Sequence, residues 1–179
     1  MKKSVLVILT AVAILVAAGV ASLRLAESAS SSAKASTSRA VAPCASSAVA
    51  QYGHIESLTR KGDHFELRFD PAWFLSGVTA SRAKLEDTGS SDVPNDNYVV
   101  EEGHRLLTYL VPSSAHVTVL VRGAALDGKG FPSQAITVSQ LAQLVKGEQP
   151  IELYESLESG FWMHVNGDTA CSLEQQYRP

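Results

Sequence analysis

The residues of this chain whose types and spacing bear on chemistry are concentrated at 69–102, FDPAWFLSGVTASRAKLEDTGSSDVPNDNYVVEE. Glu86, Asp87, Asp92, Asp96, Glu101 and Glu102 supply carboxylates there, and Asn95 and Asn97 add amide oxygens. Such hard donors suit a calcium-type cation. The spacing does not: Asp92-x-x-Asn95-Asp96-Asn97 lacks the alternate-residue ligands, central Gly and distal Glu of the familiar calcium loop. These residues therefore read as turn-forming and solvated, and no metal site is expected.

Other chemistries are weaker still. His54, His64, His104, His116 and His164 show no His-x-His, HExxH or Cys-x-x-Cys spacing, so no zinc ligand set is assigned. No G-x-S-x-G, G-x-G-x-x-G or Walker loop occurs, and no catalytic residue or cofactor is assigned. Paired-carboxylate glycoside chemistry depends on a separation in space rather than in sequence. A cell-wall hydrolase using carboxylates of this region thus stands as an alternative to a binding function.

Two cysteines, Cys44 and Cys171, are the only ones in the chain. In an oxidising compartment they predict one bridge from the start of the domain to its last strand, against a reading as two independent thiols.

The chain has 15 basic and 18 acidic residues. Residues 1–44 hold five of the basic ones (Lys2, Lys3, Arg24, Lys34, Arg39) and only Glu27 of the acids, so residues 45–179 carry a net charge of -7. That balance keeps a domain soluble and argues against a nucleic-acid partner or an anionic lipid surface.

Three regions follow in order. Residues 1–25 combine Lys2 and Lys3 with an uncharged apolar run at 4–23, predicting a signal peptide or a signal-anchor helix. Retention would leave a single-pass anchor with its basic end inside, and cleavage a secreted protein. Residues 26–50, rich in Ala and Ser, cannot offset their ordering entropy and read as a flexible tether. Residues 51–179 form the extracytoplasmic domain, and the membrane is met only through the N-terminal segment.

Within that domain, residues 54–58 and 64–69 flank Arg60-Lys61-Gly62-Asp63 as a hairpin, with Phe65, Leu67 and Phe69 on the buried face. Asp70-Pro71 suggests a cap and first turn of a short helix through Trp73 and Phe74, ended by Gly77. Thr79 would cap a second helix, with Arg82 and Glu86 four apart. Pro94 and Asn95-Asp96-Asn97 predict a turn before a strand at 98–100. Strands at 105–111 and 116–122 then suggest a meander. Thr137-Val138-Ser139-Gln140 matches a capping box, opening a helix that ends at Gly147. Residues 150–157 read as an edge strand, and Asn166-Gly167 as a hairpin turn between residues 161–165 and 169–173. The expectation is an α+β domain, mainly antiparallel, with about seven strands and two or three short helices. The strands would form a small oligonucleotide/oligosaccharide-binding-like (OB-like) barrel or a sandwich.

The ordered blocks FDPAWFLSGVTA, VPNDNYVVEE, HRLLTYLVP and GFWMHVNGDTACSLEQQYRP resemble a family of uncharacterised exported bacterial proteins. The resemblance implies location and a small β-rich domain, and transfers no activity. The functional expectation is a non-catalytic, exported or membrane-tethered module of the cell envelope that binds a protein, peptide or glycan. Its candidate binding residues are Trp73, Phe74, Glu86, Asp87, Asp92 and Asp96. A structural spacer domain is the remaining alternative.

Overall fold

A computed structural model describes Cys44, residues 47–101, Gly103 and residues 105–178. The targeting run at 4–23 and most of the Ala/Ser-rich stretch lie outside the described residues. No helix among the described residues is long and apolar enough to cross a membrane.

The first two strands, β1 (Val49–Lys61) and β2 (His64–Ser76), form the predicted hairpin, closed at Gly62 with φ 64°. Phe65, Leu67 and Phe69 are buried, whereas His64, Glu66 and Arg68 on the other face are partly exposed.

The predicted helix at Asp70-Pro71 does not form. β2 runs on through both residues to Ser76, because β1 continues to pair with it as far as Tyr52 opposite Ala72. Pro71 is tolerated for a positional reason. On the other flank of β2 the partner changes from β4 (Leu107–Pro112), last pair Phe69–Leu107, to β3 (Asn97–Glu101), first pair Ala72–Glu101. Asp70 and Pro71 fall in the gap, where a missing N–H breaks no ladder.

The single helix α1 (Gly77–Thr88) then starts rather than stops at Gly77, and Ser76, not Thr79, is its N-cap residue. The Arg82–Glu86 pair forms at 2.6 Å. Val93 is extended before Pro94 as expected, and Asn95 and Asp96 take positive φ in a short 3-10 turn that delivers the chain to β3.

β4 and β5 (His116–Leu120) are not a meander. Both run parallel to β8 (Thr169–Gln175), so the turn at 112–115 kinks the chain without reversing it. No residue of that turn has the positive φ of a tight hairpin. A short strand not foreseen, β6 (Ser133–Ile136), pairs with β5. The capping box at Thr137 opens α2 (Val138–Val145) as predicted, and Val138, Leu141 and Leu144 are buried.

Residues 150–157 are not a strand. Val121–Leu153 makes one isolated bridge, and a 3-10 turn at Leu157–Ser159 follows. The hairpin of β7 (Phe161–Asn166) and β8 is present, but Asn166 pairs with Thr169, so its loop is Gly167-Asp168. Positive φ at the first loop residue, Gly167, fits a type II′ turn, whose twist suits the strands.

The result is an α+β domain that is mainly β: a mixed eight-stranded sheet in the order β3-β2-β1-β7-β8-β5-β6, with β4 on β2 and β8. The core gathers Leu58, Leu67, Phe69, Val111, Val119, Leu141, Phe161, Met163 and Leu173, so strands from both ends of the domain and α2 share it. Cys44 and Cys171 are bridged, with Cα atoms 5.5 Å apart and a sequence separation of 127. This bridge fastens the chain ahead of β1 to the middle of β8.

Two substitutions test this framework. A Cβ on Gly53 would collide with the Asp70 carbonyl oxygen and the Phe69 ring. Gly53→Ala should therefore cost roughly 1–3 kcal/mol or more in urea unfolding. Replacing either cysteine by serine should cost on the order of 4 kcal/mol in the chain-entropy model. The double substitution should add little. Unequal single effects, or no effect of reductant on the parent protein, would refute a shared bridge.

Candidate functional site

An open groove of about 1180 Å³ lies along one margin of the core. Its apolar floor consists of Ile55 on β1, Leu144 and Val145 at the end of α2, and Ile151, Leu153 and Leu157 in the following segment. Leu144 belongs to the core, and the other five are half-buried against it. The floor is thus an edge of the hydrophobic core that is partly exposed among the described residues.

The walls are acidic. Glu56, Asp70, Glu101, Glu148, Glu152, Glu155 and Glu158 line the groove, and among the described residues neither Lys nor Arg does. Three of these have internal partners: Glu101 with His54 Nε2 at 2.9 Å, Glu152 with Arg122 Nε at 2.8 Å, and Glu155 accepting from the Arg178 backbone N–H at 3.0 Å. The carboxylates of Glu56, Asp70, Glu148 and Glu158 have no hydrogen-bond or ion-pair partner among the described residues. A concave surface lined by one sign of charge focuses the field outward and attracts cations.

One side chain holds the far wall in place. Gln175, 8% exposed, accepts from the Leu120 N–H at 2.9 Å through Oε1. Through Nε2 it donates to the Glu155 and Ser156 carbonyls and to Ser159 Oγ, at 3.3, 3.0 and 3.2 Å. Tyr154 N–H to Leu120 O and Arg122 N–H to Glu152 O add two backbone ties. The segment needs no sheet ladder, because these bonds satisfy its polar groups individually.

Aromatic rings stand at two margins. Tyr52 meets Phe74 at 5.1 Å and Trp162 at 5.4 Å, and its hydroxyl donates to Ser159 O at 2.7 Å. Burial raises the Tyr52 pKa, and Arg178 opposes that rise. Beside the acidic wall, Tyr177 lies between Phe131 at 4.8 Å and Tyr154 at 6.2 Å. Partial burial, then Tyr154 and Glu155, raises the Tyr177 pKa. Tyr154 itself is exposed and lines the groove.

The residues singled out from sequence lie elsewhere. Trp73 and Phe74 are successive strand residues and so face opposite ways: Trp73 is 57% exposed, while Phe74 enters the ring cluster with Tyr52. Glu86 is paired with Arg82, Asp87 accepts from the Tyr98 hydroxyl at 3.2 Å, and Asp92 and Asp96 are exposed on the loop after α1. None of the six lines the groove. No group of three or more metal-ligating side chains occurs among the described residues. Sequence reading missed residues 148–158, EQPIELYESLE, although its signal was visible: Glu148, Glu152, Glu155 and Glu158 interleave with Ile151, Leu153 and Leu157.

Comparison with family models, curated proteins and solved structures finds no match.

Gln175→Ala should destabilise the protein by roughly 1–3 kcal/mol, since it strands the buried Leu120 N–H and frees the part-buried carbonyls of Glu155 and Ser156. Amide exchange should quicken at residues 153–160 before it does in β1 and β2. Unchanged exchange there would show that the wall is held by other means.

Proposed function

We propose that this chain is a non-catalytic, exported or membrane-tethered binding module of the cell envelope, with the acidic groove as its ligand seat. The observation that carries this reading is the groove itself: among the described residues the core edge is partly exposed at one margin, and that margin is walled by carboxylates. A spacer domain has no need to leave apolar side chains at its core edge partly exposed beside carboxylates that lack partners among the described residues.

Location outside the cytoplasm is supported by the Cys44–Cys171 bridge, which suits an oxidising compartment, and by the basic-then-apolar start of the chain. The architecture we infer is an OB-like barrel. Pairings run from β1 to β2, β4, β8, β7 and back to β1, with β4 parallel to β8 and α2 between β4 and β7. OB barrels bind ligands on the face of their second and third strands and through the loops joining strands one to two and four to five. The groove instead lies at the end of α2, and neither corresponding turn, at 61–64 or 166–169, lines it. The functional reading therefore rests on this site and not on analogy of fold.

Photocrosslinking in intact cells tests it. A photoreactive residue in place of Glu148 or Glu158 should trap a discrete envelope component, whereas one in place of Gln134 on β6 should not. Equal yields at both places, or none from the groove, would remove the basis for a binding module.

A further inference from the structure

From the geometry we infer that the groove takes a cationic peptide segment carrying aliphatic side chains, contributed by a protein or peptide of the envelope. This deepens the binding-module reading and rests on it.

Three features choose the occupant. The first is size. At about 1180 Å³ the groove exceeds the roughly 300–1,000 Å³ of pockets that enclose small molecules, and it is open to solvent. It suits a run of several residues better than a metabolite or an ion.

The second is charge. Glu56, Asp70, Glu148 and Glu158 present carboxylates without partners among the described residues, and they come from three parts of the fold: β1, β2 and the segment after α2. Among the described lining residues the basic side chain is that of His54, and it is paired with Glu101 rather than with any of these four. Lysine or arginine side chains at successive positions of a bound segment would meet acids on both walls. Tyr154 adds an exposed ring that a cation can face.

The third is the floor. Ile55, Val145, Ile151, Leu153 and Leu157 give aliphatic side chains a surface continuous with the core. A polyamine would satisfy the acids and leave that floor wet. A neutral glycan would use neither feature fully. An extended peptide, whose side chains alternate between two directions, places its cations against the walls and its aliphatic residues against the floor.

The test uses the full-length, oxidised chain in detergent and labelled synthetic peptides in which lysine alternates with leucine, glutamate with leucine, or lysine with serine. The lysine–leucine peptide should bind, more weakly as salt rises from about 50 to about 300 mM. The other two should bind at least about tenfold more weakly. In the protein, the isosteric Glu148→Gln/Glu158→Gln pair should weaken lysine–leucine binding about tenfold. Thermal unfolding of that variant should be unchanged, and Arg82→Gln, remote from the groove, should bind as the parent does.

Equal binding of the lysine–serine peptide would mean that only charge is read, and would overturn the proposal. Equal binding of the glutamate–leucine peptide would overturn it from the other side. If photocrosslinking from Glu148 traps a glycan while no peptide binds, the ligand class falls and the binding-module reading stands. If neither experiment detects an occupant, both fall.

Discussion

The organising constraint of this domain is the length of β2. Thirteen residues of strand need a partner on each flank, and β1 supplies one flank from Lys61 back to Tyr52. No single strand covers the other. β4 takes the first half and β3 the second, with Asp70-Pro71 at the change. The first half is therefore committed to the core, through Phe65, Leu67 and Phe69, while the second half carries α1 and β3 beyond it. Of α1 only Ala80 is buried. The region that looked most elaborate in the sequence is thus an extension of the sheet.

The groove follows from how the chain crosses between α2 and β7. After α2 the chain must return to β7, and it does so without joining the sheet, through residues 146–160. Polar bonds substitute for a ladder, chiefly those of Gln175, and beside the segment this edge of the core stays partly exposed among the described residues. Filling that gap with the chain's own side chains would have required large apolar residues where Glu148, Glu152, Glu155 and Glu158 stand. Instead the acids project along an opening whose floor is apolar, so solvation of the walls and dryness of the floor are in tension until something covers both.

Much of this was legible from residues alone, for identifiable reasons. Alternation in HFELRF, the Thr137–Gln140 capping box and the Asn166-Gly167 neighbourhood are local signals whose physics is complete within a few residues, and each produced its element. Asp70-Pro71 misled because its local preference for a helix start was overridden by a partner strand distant in sequence. Pairing of β4 and β5 with β8, rather than with each other, depends on residues about 55 positions away and leaves no local trace. The acidic segment after α2 failed for a related reason. Its alternation of apolar and charged residues is shared by an edge strand and by a wall tied down by side chains, and the residue that decides between them, Gln175, is near the end of the chain.

The Cys44–Cys171 bridge has a mechanical consequence. Tension applied to the chain ahead of Cys44 does not peel β1 from its first residue, because the load passes through sulfur into β8. That strand is flanked by β7 on one side and by β4 and β5 on the other, so its ladders must yield together rather than one bond at a time. The N-terminal end of β1 thereby does not take that load first.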